Sequence, residues 1–411
     1  MMCRIDGYPE RFALPPSSRL IPRDLRLCRV VLGVALVATT AFGAAPAQLR
    51  PAVQLLDNGV ALCPGSAGSG YAIPCVTDWN GDGKQDLLVG YQLAGKIALY
   101  LNQGSREAPC FTNFTNLKAA GQNDIAYPSG GCGAPAPWVC DFDNDGDRDL
   151  LVGAGADGTV WLHRNTNSDA APLLDRGEQL RTGGSVLSVG QRATPTTCDW
   201  DEDGLADLLC GAGDGFAYFF KNTNTATQPV FAPGTKLKAA GLDLNVGIRS
   251  VLRAHDWDGD GVRDLVCSSD AGVYWYRGTR GAGAILLGPR ESLCAPVALN
   301  GLVPINTGGR MRLHLTDWNN DGVPDLLLGN LNGTVTFFEG YPFRLDRIDR
   351  IGNEVSLVWQ SAPFLRYRVL AGPTPDALTN IIGSQVISEG KATHWRTVES
   401  GSSLYYRVQV E

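Results

Sequence analysis

One nine-residue acidic segment recurs five times along this 411-residue chain. It reads DWNGDGKQD at 78–86, DFDNDGDRD at 141–149, DWDEDGLAD at 199–207, DWDGDGVRD at 256–264 and DWNNDGVPD at 317–325, at intervals of 63, 58, 57 and 61 residues. Repetition at near-constant spacing specifies an array of equivalent units, each too small to bury its own apolar face. The surroundings repeat too. A β-like run precedes each copy, as in 136–140, and a Leu-Leu or Leu-Val pair follows at once. A Gly-containing turn then leads to a second short run, at 96–101, 159–163, 216–220, 272–276 and 334–338, rich in β-branched and aromatic residues as strands are. A fourth segment with Leu at its eighth place occurs at 55–63, 110–118, 173–181, 230–238 and 286–294, so one copy precedes the first acidic loop and none follows the fifth. The 50 Gly and 24 Pro favour many turns over long helices.

Four strands per unit of about 40–60 residues is the pattern of a propeller blade. If the first segment pairs into the last unit, no sheet edge is left open. The expected fold is therefore all-β: a five-bladed β-propeller over 48–340, closed by its N-terminal strand, followed by a small domain over 341–411.

Oxygen side chains occupy positions 1, 3, 5 and 9 of every loop. They are Asp78, Asn80, Asp82 and Asp86; Asp141, Asp143, Asp145 and Asp149; Asp199, Asp201, Asp203 and Asp207; Asp256, Asp258, Asp260 and Asp264; and Asp317, Asn319, Asp321 and Asp325. Position 6 is always Gly, which permits the sharp turn that aims alternate side chains at one centre. Carboxylates gathered this way repel unless a cation sits among them, and an all-oxygen set in a flexible loop suits Ca²⁺. Position 7 would offer its backbone carbonyl, so its side chain is free to vary: Lys84, Asp147, Leu205, Val262 and Val323. An EF-hand would place Glu at position 12, where this chain has Val89, Val152, Cys210, Cys267 or Leu328. The ninth-position Asp is left to replace that Glu.

These loops, each followed by an apolar run such as Leu87-Leu88-Val89-Gly90, resemble the FG-GAP/VCBS-type repeats of the calcium-binding blades in integrin α-subunit propellers. The resemblance spans roughly 50–340. It implies a propeller with about five Ca²⁺ between the first two strands of each blade, and extracellular roles in adhesion, ligand display or polysaccharide contact. The ions are expected to rigidify the loops rather than to do chemistry.

Arg23, Arg26 and Arg29 precede an apolar run over 30–43 that ends in Ala44-Ala45-Pro46-Ala47, the layout of a secretory signal over 1–47, with an uncleaved anchor as the alternative. The run is short for a membrane span. Removing six Arg and three acids with it takes the formal charge from −7 to −10, against nucleic-acid binding by general positive charge. Five divalent ions would bring −10 to about zero. Export permits disulfides, and Cys63–Cys75 and Cys110–Cys132 are plausible pairs.

The aromatic at position 2 (Trp79, Phe142, Trp200, Trp257 and Trp318) reads better as packing between blades than as a ring of sugar platforms. Trp161, Tyr274, Trp275 and Tyr276 are less regular and are the candidate ligand surface. No spaced histidine pair, nucleophile elbow or phosphate-cradling loop is present, so no catalytic residue is assigned. Beyond 341, alternation at Val355, Leu357 and Trp359 predicts a small, fibronectin-like β-sandwich. The leading expectation is an exported, calcium-binding, non-enzymatic module that binds a glycan or an extracellular surface protein. Alternatives are a calcium-dependent, lyase-like enzyme on acidic polysaccharide, with His255 as the nearest base, or a structural assembly component.

Overall fold

The computed structural model describes residues 48–65, 71–92, 95–120, 123–127, 133–281, 284–297, 301–342, 345–351, 353–363, 365–372, 378, 380–398 and 405–410. The expected export signal lies outside these. All regular elements among the described residues are strands, and no helix there is long and apolar enough to cross a membrane.

The strands form many small sheets, antiparallel except where Lys238–Ala239 meets Ile285–Ser292. Five share one plan, and each begins with the run before an acidic loop. The first sheet orders Ala72–Thr77, Asp86–Tyr91, Lys96–Tyr100 and Thr115–Asn116. The second orders Ala136–Cys140, Asp149–Gly153, Val160–His163 and Glu178–Gln179; the third, Thr194–Cys198, Asp207–Gly211, Ala217–Phe220 and Thr235–Lys236. The fourth orders Val251–His255, Asp264–Ser268, Val273–Arg280 and Ile285–Ser292, and adds Lys238–Ala239 and Leu242–Asp243 at its edge. In the fifth, Arg312–Thr316, Asp325–Gly329 and Val335–Phe338 take their outer strand from the other end of the chain, Val53–Gln54. This is the construction of a β-propeller.

The glycine that closes each Leu-Leu-x-Gly run has a steric cause. A Cβ there would stand 1.8 Å from the Pro135 carbonyl at Gly90, 2.0 Å from that of Ala193 at Gly153, 2.3 Å from that of Ser250 at Gly211 and 1.9 Å from that of Ala72 at Gly329. Each second strand thus lies against the innermost strand of another sheet: first on second, second on third, third on fourth, fifth on first. The fourth sheet carries Ser268 instead, whose hydroxyl donates to the Met311 carbonyl at 2.9 Å and so reaches the fifth. The position-2 aromatics are all buried between sheets. Trp318 of the fifth loop, for example, meets Phe111 at 6.1 Å and Phe337 at 5.7 Å between ring centroids.

The register of the first fourth-strand segment differs from the sequence expectation. Leu117, Leu180, Leu237 and Leu293 each donate their N–H to the start of a third strand, at Ile97, Val160, Ala217 and Val273. The residue that does this to Val335 is Leu55, not Leu62. The matching segment is therefore 48–56, seven residues before 55–63. The resemblance of LLDNG to LLDRG misaligns the two, and 55–63 instead forms a local hairpin, Leu56–Asp57 with Val60–Ala61.

At the C-terminus, Leu345–Ile351, Glu354–Gln360 and Ala392–Val398 form one three-stranded sheet, and Asn380–Ile387, Arg366–Gly372 and Tyr405–Val410 another. Val355, Leu357 and Trp359 of the first share a core with Tyr367 and Val369 of the second. Gln48–Leu49 pairs with Gly340–Tyr341, and Arg50 donates to the Ser361 carbonyl at 2.7 Å while pairing with Glu339 at 3.2 Å. The described residues belong to one compact unit, Gly43–Glu411. Cys63 and Cys75 are both free thiols, Cys75 buried in the first sheet, so the pair proposed from sequence does not form; Cys132 lies outside the described residues.

Candidate metal centre

Each acidic loop joins the innermost strand of a sheet to the next strand, and its turn is wound the same way five times. Position 4 is left-handed at Gly81, Asn144, Glu202, Gly259 and Asn320, with φ between 55° and 70°. Position 6 is left-handed at Gly83, Gly146, Gly204, Gly261 and Gly322, with φ between 83° and 97°. Gly and Asn accept this backbone readily; Glu202 holds it at a cost of about 1–2 kcal/mol.

The first and fifth positions build the turn through backbone donors. The position-6 N–H donates to the position-1 carboxylate at 2.9 Å in Asp78 and Asp317, 3.1 Å in Asp141 and Asp199, and 2.8 Å in Asp256. The N–H of position 7 (Lys84, Asp147, Leu205, Val262 and Val323) donates to Asp82, Asp145, Asp203, Asp260 and Asp321 at 2.9–3.0 Å. In four loops the position-5 N–H also donates to the other position-1 oxygen, at 3.0–3.1 Å in Asp141, Asp199, Asp256 and Asp317, so both oxygens of those residues are engaged. Ligand atoms of Asp141, Asp143 and Asp149 lie within 4.8 Å of one another, as do those of Asp199, Asp201 and Asp203, and those of Asp256, Asp258 and Asp260. In the first and fifth loops, Asn80 and Asn319 stand at position 3. Asn80 accepts the Asp82 N–H at 3.1 Å, and Asn319 accepts that of Asp321 at 3.0 Å.

The ninth-position Asp does more than sequence spacing implies. Asp86, Asp149, Asp207, Asp264 and Asp325 are all buried, and both oxygens of each are engaged. Oδ2 accepts the N–H of the position-2 aromatic at 2.9–3.1 Å. Oδ1 accepts an N–H just past the third strand, from Asn102, Asn165, Asn222 or Gly340, or within it, from Gly278 of the fourth sheet, at 2.6–2.8 Å. This carboxylate ties the loop to the end of the third strand. Burial pushes its pKa up, to about 6 in Asp149 and Asp207 and about 7 in Asp325, even though two N–H donors oppose the shift. Nearby loop carboxylates add to the rise.

The donor set fits a hard divalent cation. Oδ1 of Asp78, Asp143 and Asp201 is buried without a hydrogen-bond partner, an arrangement that is costly unless something positive meets it. Bound there, a cation would neutralise the cluster and cross-link the turn. Side-chain cations also reach in. Arg164 lies 3.3 Å from Asp143, Lys221 pairs with Asp201 and lies 2.7 Å from Asp203, and Arg277 lies 2.8 Å from Asp258 and 2.9 Å from Asp260. All three occupy the residue just before the Asn or Gly that bonds the ninth Asp, a position held by Leu101 and Glu339 at the other two loops.

Of the candidate ligand-surface aromatics, Trp275 and Tyr276 are core residues, whereas Trp161 and Tyr274 are half-buried. Trp161 lines a cavity of about 420 Å³ with Tyr127 and His163, whose side chains are hydrogen-bonded at 2.6 Å. His255 is exposed at its strand end, beside Asp256 and Asp317.

The FG-GAP-like repeat family matches this sequence at residues 141–210 and 256–328, which hold the second to fifth acidic loops. The chain carries FG-GAP-like repeats. It is also similar to integrin alpha-4 of Xenopus laevis, 27% identical over 154 residues, and to integrin alpha-7 of Rattus norvegicus, 28% identical over 171 residues. Those matches take in 34% and 38% of this chain but only 14% of each integrin, so the FG-GAP-like chain aligns with about a seventh of either relative. Among solved structures, an Agrocybe aegerita lectin that recognises non-reducing terminal N-acetylglucosamine aligns over 79% of this chain and 71% of its own at 16% identity, with a TM-score of 0.33. That likeness is too loose to carry an argument.

Proposed function

We propose that this FG-GAP-like chain is a calcium-stabilised, five-bladed β-propeller that serves as a non-enzymatic binding module for a glycan or a surface protein. The observation that carries the proposal is the fivefold loop: the same turn in all five, acidic ligand atoms within 4.8 Å of one another in the second, third and fourth, and a buried, partnerless carboxylate oxygen in the first, second and third. The ring comprises 48–340, and pairing of Val53–Gln54 with Val335–Phe338 supports its closure by the N-terminal strand. Residues 341–411 form a β-sandwich-like domain, and 1–47 direct export, so the module works outside the cytoplasm. About five Ca²⁺ bind, one per loop, through positions 1, 3 and 5, the carbonyl of position 7 and the ninth Asp. Calcium holds the loops rigid, and the ring presents repeated surfaces suited to many weak contacts at once.

The test is retention of the mature chain, from Gln48 onward, on a panel of insoluble and acidic polysaccharides in calcium and in chelator, with the supernatant assayed for released oligosaccharide. Calcium-dependent retention without release is the expected result. Released product would replace the binding reading with a lyase-like one, and His255 would be the first residue to substitute. No retention on any glycan would remove the glycan arm and leave a protein partner or an assembly role.

A further inference from the structure

The seam between the first and second sheets departs from those that follow it. Pairing registers make His163 of the second sheet equivalent to Tyr100, Phe220, Tyr276 and Phe338. They make Trp161 equivalent to Ala98, Tyr218, Tyr274 and Thr336. Tyr127, which follows the first sheet, donates its N–H to the Gly95 carbonyl; Val189 and Val246 make the same bond to Gly158 and Gly215. In the next two seams Val189 shares an apolar cluster with Phe220, and Val246 with Tyr276. Between the first and second sheets the corresponding pair is Tyr127 and His163, hydrogen-bonded at 2.6 Å. Apolar pairs suffice for packing at this place, so a polar pair here has another cause.

The pair is fixed in place. Burial lowers the His163 pKa, so the ring is neutral and carries one N–H. The Asp175 carbonyl can only accept, which puts that proton on Nδ1, 3.1 Å away. Nε2 therefore accepts the Tyr127 hydroxyl proton. Tyr127 and Trp161 lie 5.5 Å apart between ring centroids, and Trp161 Nε1 donates to the Thr159 hydroxyl at 3.0 Å. These rings wall the cavity of about 420 Å³, within the range of about 300–1,000 Å³ usual for small-molecule sites. Asn123, Asp124 and Arg176 form its polar side. Asp124 Oδ2 accepts from Lys96 at 2.8 Å and from Asn116 at 2.9 Å. The side chains of Asn123 and Arg176 have no partner among the described residues. Around the cavity Asp124 and Asp175 stand against Lys96, Lys118 and Arg176, while Asp143 and Glu178 pair with Arg164. Neither sign is in large excess, so the site does not select an ion.

We infer that this cavity binds a sugar ring of a glycan, stacked on Trp161. The C–H groups on one face of a pyranose suit the negative face of an indole. The Asn123 amide, the free Asp124 oxygen and the Arg176 guanidinium offer donors and acceptors to its hydroxyls. An apolar peptide side chain could stack too, but it would cover those polar groups without pairing them. The inference rests on the glycan arm of the proposed function and gives that arm a site. The acidic loops take no part in it.

The test is binding of the intact protein, in calcium, to immobilised neutral and acidic oligosaccharides, with the methyl glycosides of glucose, galactose, mannose and glucuronate as soluble competitors. Saturable binding that one of these glycosides displaces is expected. Trp161→Ala and Arg176→Gln should each weaken it about tenfold or more. Arg347→Gln, on an exposed C-terminal strand, should not. Arg176 is exposed, so Arg176→Gln should leave the melting temperature unchanged and its loss of binding cannot come from misfolding. Trp161→Phe keeps a stacking ring. It should retain binding while removing the change in tryptophan emission that the competing glycoside causes in the unsubstituted protein. Glycan binding undiminished by Trp161→Ala and Arg176→Gln would overturn this site and leave the glycan reading standing. No binding to any oligosaccharide would overturn both.

Discussion

Asp207→Ala separates the two jobs of an acidic loop. Asp207 is wholly buried and accepts the Trp200 N–H at 3.0 Å and the Asn222 N–H at 2.8 Å. Truncation leaves both donors buried without acceptors. At about 1–3 kcal/mol for each orphaned group, the cost is about 4 kcal/mol, a shift of roughly a thousandfold in the folding equilibrium. Neither donor belongs to a metal, so the loss should persist in chelator. Asp203→Ala, four residues earlier, removes only the Leu205 N–H bond at 3.0 Å and the pairing with Lys221, both at an exposed turn. In chelator it should cost about 0–1 kcal/mol, while in calcium it should also forfeit the stabilisation contributed by one ion. Urea unfolding of both variants, with and without calcium, measures all four quantities. If Asp207→Ala costs no more than Asp203→Ala in chelator, the buried carboxylate does not tie the loop to its third strand.

Three further outcomes follow from individual contacts. Lys221→Met removes a cation that lies 2.7 Å from Asp203 and competes for the third loop, so calcium affinity there should rise about three- to tenfold, read by titration calorimetry. Gly329→Ala places a Cβ 1.9 Å from the Ala72 carbonyl where the fifth sheet meets the first, and should cost about 1–3 kcal/mol by urea unfolding with no change in loop calcium affinity. His314 is fully buried against Trp138 and near Arg253, and both burial and that guanidinium hold its pKa well below 6.5. The unfolded chain therefore takes up the proton first, and stability is lost as pH falls below about 6.5. His314→Phe should flatten the stability profile between about pH 6.5 and 5 and leave it unchanged above.

Much of this was legible in the sequence because a turn of this kind needs particular residues at fixed separations. Oxygen donors on alternate positions and a glycine at the sixth fix the loop, and short β-branched or aromatic runs between glycines fix the strands. The buried position-2 aromatics also followed from strict repetition, which a packing role demands and a sugar platform does not. What escaped lies in contacts between distant parts of the chain. Both oxygens of Asp207 are spent on backbone donors, and Asn222, which supplies one of them, lies 15 residues away; a repeated Asn after the third strand was the available signal. The register of 48–56 was hidden because local similarity pointed to 55–63, and backbone pairing alone decides between them. The free thiol at Cys75 depends on burial within a sheet, which spacing to Cys63 does not report.

The central claim is that the five loops are cation sites that hold the propeller together. The direct measurement is calcium binding and melting temperature of the same preparation, by titration calorimetry and by thermal unfolding in calcium and in chelator. The account predicts about five calcium ions per chain and a melting temperature that rises with calcium concentration, since each site stabilises by about 2.7 kcal/mol at a hundred times its dissociation constant. No calcium uptake, together with a melting temperature unmoved by chelator, would contradict it.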